Sequence, residues 1–270
     1  MMSKRMAAET YDPRYYVENF DHRKYAEQFY GAGQWNLEQI ASSASGFCMK
    51  AVNKFISECE KGGGRFLDIA TGACLANLMP AATKFDHIYC AEFSPAAREE
   101  LEKWKAGEPD ALDWTTYFKY AANLDGQAEN WKAYEALLHK AWVSILPCDL
   151  TKDDPFAPEK LAPVDVITES FLLCSIVKDV GDLTDAIRRM AQYLKKGGAL
   201  ILSECVNASF YQVGGRTLYL CNLSEQDYVQ ALKNNGMEGI EIARASDVNL
   251  REDQEFSNIG DDIVVKAVKT

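Results

Sequence analysis

The chain is short of positive charge: 29 Lys and Arg stand against 40 Asp and Glu, for a net charge of −11. Phosphate-rich partners are held by clustered cations that displace counterions, so nucleic acid and anionic membrane surfaces are not expected partners. No apolar run approaches the roughly 20 residues that cross a bilayer, and the start, Met1 to Met6, lacks the apolar core of a signal peptide; a cytoplasmic location is the expectation. Histidine is scarce. His22, His87 and His139 are unclustered and share no ligand spacing with the cysteines, which argues against a metal centre. Cys-x-x-Cys is absent too, and eight cysteines scattered singly through apolar segments read as free thiols in a reducing compartment. There is no G-x-G-x-x-G run, only Gly72 at the first strand's turn, so a dinucleotide with its pyrophosphate is disfavoured. There is no G-x-S-x-G elbow, and Ser209 has no identifiable histidine partner, which leaves nucleophilic catalysis without support.

What is present is an alternation. Apolar runs of strand length fall near 65–70, 87–92, 142–148, 164–170 and 198–205, with helical periodicity between them. Strands alternating with helices predict a mainly parallel α/β sheet covered on both faces. Ahead of it lies an aromatic-rich helical segment starting at Asp12-Pro13, then a helix over 36–60 stopped by Gly62-Gly63-Gly64. Behind it, a helix near 224–235 and strands near 239–245 and 263–268 predict an edge hairpin. The stretch from about 107 to 140, with Trp114, Tyr117, Tyr120, Trp131 and Tyr134, reads as a helical insertion packed over the sheet. One domain is expected over 1–270, with residues 1–60 as a helical cap and 61–270 as the core.

Ligands of such sheets sit at the carboxyl ends of the strands. Here those ends carry Asp68, Glu92, Asp149, Ser170 and Glu204. Any one of them could be a turn or cap residue; five in succession point to a site. Asp68 ahead of Thr71-Gly72, with a second strand closing on Glu92, is the arrangement by which a class I methyltransferase holds S-adenosylmethionine: a turn of little bulk lets the backbone approach, and the second acid accepts both ribose hydroxyls.

Several blocks extend this in order. They are Phe20-Asp21-His22-Arg23-Lys24-Tyr25 with Phe29-Tyr30, Leu67 to Gly72, Leu101-Glu102-Lys103-Trp104 with Leu112-Asp113-Trp114, Cys148-Asp149-Leu150, Leu194 to Gly198, and Ser209-Phe210-Tyr211. Through them the chain resembles the nicotinamide, phenylethanolamine and indolethylamine N-methyltransferase family. The resemblance implies a Rossmann-like, seven-stranded class I methyltransferase with an N-terminal helical lid. It implies that Tyr16, Tyr25 and Tyr30 close over the cofactor, and that Asp68, Ala70, Thr71 and Gly72 line its methionine part. Glu92 would take the ribose, Phe93 would stack beside the adenine, Asp149 and Leu150 would hold the base edge, and Ser170 would lie near the methionine end. Tyr25, Glu204, Ser209, Tyr211 and Asn258 would face the acceptor, with Tyr25 and Glu204 as the catalytic candidates and S-adenosylhomocysteine as product.

The chain departs from the family's turn at Ala70, Cys74 and Ala76, and from a ribose-supporting asparagine at Ala97. Glu204 stands where nicotinamide methylators have an aspartate, while the carboxylates of phenylethanolamine methylators fall at Cys174, Ala208 and Ser257. The expected activity is methyl transfer to the nitrogen of a small amine or pyridine by a monomer. The alternatives are transfer to a thioether or other heteroatom, or a catalytically silent relative that binds the cofactor or a partner protein.

Overall fold

The computed structural model describes residues 13–59, 63–250 and 256–270. The Asp12 cap, the Met1–Met6 start and Gly62 of the glycine stop lie outside the described residues. The aromatic-rich opening is two helices, α1 (Pro13–Glu18) and α2 (His22–Tyr30). They are separate because the Asp21 side chain accepts the Lys24 N–H and starts the second helix, which Gly31 ends in the left-handed conformation. The helix expected over 36–60 is likewise two, α3 (Leu37–Ala41) and α4 (Ala44–Glu58), with Ser43 capping the second through the Gly46 N–H. Gly46 is required there: a Cβ would stand 1.8 Å from the Ile40 carbonyl oxygen.

The core alternates as expected. It runs β1 (Arg65–Ile69), α5 (Leu78–Ala82), β2 (His87–Glu92), α6 (Pro95–Ala106), α7 (Thr115–Leu124), α8 (Trp131–Ala141), β3 (Trp142–Pro147) and β4 (Val164–Ser170). Then come α9 (Leu173–Ile176), α10 (Val180–Ala191), β5 (Leu194–Val206), a hairpin of β6 (Phe210–Val213) and β7 (Arg216–Tyr219), α11 (Glu225–Asn234), β8 (Met237–Arg244) and β9 (Asp261–Lys269). Seven strands form one sheet in the order β3-β2-β1-β4-β5-β9-β8. The first five are parallel, and β9 lies antiparallel between β5 and the edge strand β8. The order reverses between β1 and β4, which opens a crevice at their carboxyl ends.

Strand parity divides the core in two. Phe66, Ile88, Val166 and Ile201 pack with α4, α5, α7 and α8, whereas Leu67, Ile167, Leu200 and Leu202 pack with α10 and α11. Each such side chain, buried completely, contributes about 1.5–3 kcal/mol of transfer free energy, so the sheet is a stiff frame for whatever its strand ends carry. The insertion is the helix pair α7–α8, and Trp114, Tyr117, Tyr120 and Tyr134 are buried in the first of those cores. Among the described residues, no helix is long and apolar enough to cross a membrane.

Candidate active site

The crevice is a cavity of about 210 Å³. One side is built from the ends of β1, β2 and β3, and the other from α9, the end of β5 and the β6–β7 hairpin, with α1 and α2 across the top.

On the first side, Asp68 is buried, and its Oδ1 accepts from Thr168 Oγ1 at 2.5 Å and from Asn77 Nδ2 at 3.0 Å. Burial pushes its carboxyl up to about 6 against those stabilising bonds. Asn77 also donates to Ser170 Oγ at 2.9 Å, which ties the ends of β1 and β4 together. Glu92 is buried at the end of β2, where Oε2 accepts the Gly72 N–H at 2.8 Å and Oε1 the Ser94 N–H at 2.7 Å. Burial raises its pKa as well. Gly72 has φ +60, and a Cβ there would meet no atom within 4 Å. Two residues earlier Ala70 adopts φ +59 without being glycine, a strained conformation held by the strand on one side and the turn on the other. Asp149 Oδ1 accepts from Thr151 N at 3.0 Å and Thr151 Oγ1 at 2.6 Å. It is a turn cap that also lines the cavity.

The cap is fastened by ring contacts and a few polar bonds. Tyr16 and Phe20 stack at 5.1 Å, Phe20 meets Tyr25 at 5.6 Å, and Tyr25 and Phe29 lie 6.5 and 6.2 Å from the Tyr211 ring. Each such pair is worth about 0.5–1.5 kcal/mol beyond its burial. Tyr16 and Tyr211 share a hydroxyl hydrogen bond of 3.1 Å, and Gln28 Nε2 donates to the Gln212 carbonyl at 2.7 Å. His22, first residue of α2, is 2.9 Å from Ser94 Oγ, and burial lowers its pKa to about 4, so the imidazole is neutral at pH 7.

Tyr16, Tyr25, Tyr30, Asp68, Ala70, Thr71, Gly72, Glu92, Phe93, Asp149, Leu150, Ser170 and Tyr211 all line this one cavity. Three expected residues do not. Glu204 is fully buried on the parity of Leu200 and Leu202, the side away from the cavity, where its carboxylate accepts the Leu173 N–H at 2.8 Å and the Cys174 N–H at 3.4 Å. It lies against Glu169, and burial raises both pKa values. The expectation that Glu204 faces the acceptor is therefore corrected: it caps α9 from behind, and Cys205 is the β5 residue on the cavity wall. Ser209 and Asn258 are also off the wall and are bound to each other, Asn258 Oδ1 accepting the Ser209 N–H at 2.9 Å and Nδ2 donating to Ser209 Oγ at 2.9 Å.

Sequence reading missed several wall residues. Asn77, His22, Cys205, Ser175 and the ring of Phe171 line the cavity, together with Cys174, which the resemblance places at a carboxylate position of phenylethanolamine methylators. The hairpin that brings in Tyr211 was missed as well, although its signal was present: Gly214-Gly215, both with positive φ, sit between the alternating runs Phe-Tyr-Gln-Val and Arg-Thr-Leu-Tyr.

The chemistry of the wall suits a cationic nucleoside. Its carboxylates are Asp68, Glu92 and Asp149, and no Lys or Arg belongs to it among the described residues. Such a wall repels phosphate and accepts a sulfonium and an ammonium. Glu92 has used one lone pair on each oxygen, which leaves a second on each for a ribose hydroxyl.

Comparison with known proteins gives the family and the fold. The model of the NNMT/PNMT/TEMT family matches residues 8–269. Human nicotinamide N-methyltransferase is 28% identical over 225 residues, covering 82% of this chain and 83% of the relative. Rabbit (Oryctolagus cuniculus) indolethylamine N-methyltransferase is 29% identical, over 65% of this chain and 67% of its own. Among solved structures, magnesium protoporphyrin IX methyltransferase from Synechocystis with bound S-adenosylhomocysteine superposes with a TM-score of 0.57 at 15% identity, covering 96% of this chain and 97% of that one. The fold is thus the Rossmann-like one of class I methyltransferases. The chain belongs to the NNMT/PNMT/TEMT family, and it is an enzyme that takes its methyl group from S-adenosylmethionine and leaves S-adenosylhomocysteine.

Proposed function

We propose that the enzyme methylates the nitrogen of a small acceptor that arrives uncharged, a pyridine-type nitrogen before an alkylammonium. The observation that carries this is the second side of the cavity. Among the described residues its lining is Tyr16, Tyr25, Phe29, Phe171, Tyr211, two thiols, Ser175 and aliphatic side chains, with no carboxylate. An alkylammonium would need a negative partner and then a base to remove its proton. Neither is offered. Burial raises Tyr16 to about 12 and holds Tyr25 and Tyr211 well above the ordinary phenol value, so these hydroxyls stay protonated and serve as hydrogen-bond donors, not bases.

When bound, S-adenosylmethionine supplies a methyl group on a positively charged sulfur. The residues proposed to hold it are the strand-end set: Asp68 with Ala70, Thr71 and Gly72 toward the methionine part, Glu92 on the ribose, Phe93, Asp149 and Leu150 around the base, and Ser170 beside Asp68. The cap residues Tyr16, Tyr25 and Tyr30 exclude water and fix the approach. Orientation of this kind is worth up to roughly 7–11 kcal/mol in the best aligned systems. The aromatic faces also stabilise the positive charge that grows on the acceptor as it is methylated, by about 1–2 kcal/mol where water is excluded.

A thioether is uncharged too, and the same wall suits it. A labelled-methyl screen over pyridines, alkylamines and thioethers separates these readings. The pyridine rate is expected to be flat with pH above the pyridine's own pKa, while any alkylamine rate climbs about tenfold per pH unit up to the amine's pKa. Rapid, pH-independent turnover of alkylamines near neutrality would overturn the proposal.

A further inference from the structure

Cys174 and Cys205 meet across the cavity wall. Their Sγ atoms are 3.6 Å apart, with Cys205 donating its S–H to Cys174. Both side chains are buried, yet both line the cavity, so a small molecule entering it reaches them. Cys205 is carried by the sheet, paired with Asp262 one position before the end of the β5–β9 ladder. Cys174 is carried by α9, a four-residue helix entered through Phe171 at φ +58. The pair is therefore one thiol on a rigid strand and one on a short segment that can move toward it. The two thiols line the acceptor wall but pass no proton or group in the methyl transfer proposed above, and none of the eight cysteines is in a disulfide.

We propose that Cys174 and Cys205 form a peroxide-sensitive dithiol whose oxidation to a disulfide closes the acceptor side of the cavity. The oxidant is hydrogen peroxide, small enough for the crevice. One thiol sulfur attacks a peroxide oxygen, the O–O bond breaks, and a sulfenic acid and one water result. The second thiol sulfur then displaces the hydroxyl, the S–O bond breaks as the S–S bond forms, and the thiol proton leaves with the hydroxyl as a second water. Two hydrogens are lost from the protein in all.

The bond requires the sulfurs to close from 3.6 Å to about 2.05 Å. That draws α9 toward β5 and shifts Phe171, Ser175 and Ile176, which line the same wall. A displacement of that size at a positioning wall costs about 100-fold in rate. The Cys205 neighbour and burial push the Cys174 thiol well up, so thiolate is scarce and the first step is slow; what singles out this pair is the second sulfur at 3.6 Å, not a lowered pKa.

The test is peroxide titration of the full chain, followed by alkylation, intact mass and peptide mapping, with methyl transfer measured on the same samples. Expected is a species lighter by two hydrogens whose map joins the Cys174 and Cys205 peptides. Methyl transfer should fall by about 100-fold and be restored by a phosphine reductant. Saturating S-adenosylhomocysteine together with an acceptor should slow the cross-link. Cys205→Ala should show no cross-link and an unchanged ratio of treated to untreated rate, while Cys59→Ser, away from the cavity, should respond as the parent does. Separate alkylation of Cys174 and Cys205 after peroxide, or a cross-link that leaves the rate unchanged, would overturn the proposal. The peptide map needs no acceptor, so its failure is distinct from failure of the neutral-nitrogen reading.

Discussion

Replacing Glu92 by Gln is the perturbation that asks most of the donor site. The carboxylate accepts the Gly72 N–H at 2.8 Å on one oxygen and the Ser94 N–H at 2.7 Å on the other. Gln keeps the shape but puts an NH₂ where one of those oxygens was, so one backbone N–H faces a donor and one ribose hydroxyl loses its acceptor. A hydrogen bond to a charged group is worth about 1.5–3 kcal/mol. Losing one outright and the charge assistance of the other comes to about 3 kcal/mol, a factor of roughly 100 in Kd. Titration calorimetry with S-adenosylhomocysteine reads this directly, with circular dichroism to establish that the variant is folded. A Kd for Glu92→Gln within about threefold of the parent would remove Glu92 from the ribose; a threefold change is only about 0.65 kcal/mol.

Four further outcomes follow from the same geometry. Burial raises Asp68 from 3.8 to about 6, so the folded state holds its proton more tightly than the unfolded chain, and the free enzyme loses stability as pH rises through that window. A cationic donor favours the ionised form, so donor affinity should rise toward pH 6 and level off above it, and Asp68→Asn should flatten the profile; a wild-type Kd independent of pH between about 5 and 7 would contradict the assignment. Ala70→Gly should raise the unfolding free energy by about 1 kcal/mol, read as a higher urea midpoint, because glycine adopts φ +59 without strain; a lower midpoint would show that Ala70 is not strained. Tyr25→Phe should keep turnover within about tenfold while Tyr25→Ala loses more, since the ring closes the cavity and the phenol is no base; a hydroxyl-dependent collapse of kcat would reverse that. Glu204→Ala should cost about 2 kcal/mol of stability in denaturant unfolding by stranding the Leu173 N–H, and leave donor affinity near the parent value; a stable variant with abolished donor binding would return Glu204 to the site.

Much of this architecture was legible because periodicity and punctuation are local. The runs that carry Asp68, Glu92 and Ser170 at or next to their last residue are strands for the reasons their composition gives, and strand ends are where open parallel sheets hold ligands. The Glu204 error has a specific cause. Side chains alternate across a strand, so one position decides the face, and Leu200 and Leu202 already assign the even positions of β5 to the α10–α11 core. Reading the parity from those two leucines selects Cys205. The β6–β7 hairpin was visible in Gly214-Gly215, but short strands outside the main sheet give little periodicity. The two broken helices of the cap turned on side-chain caps at Asp21 and Ser43, where the apolar pattern runs on without interruption. Asn77 and the Cys174–Cys205 pair are tertiary, joining segments 93 and 31 positions apart. No local pattern announces them.

A crystal structure of the chain with S-adenosylhomocysteine is the most direct test of the central claim. The nucleoside is expected at the carboxyl ends of β1 and β2, with both ribose hydroxyls hydrogen-bonded to Glu92 and the amino acid part beside Asp68 and Gly72. A nucleoside seated elsewhere, or a Glu92 carboxylate turned away from the ribose, would contradict it.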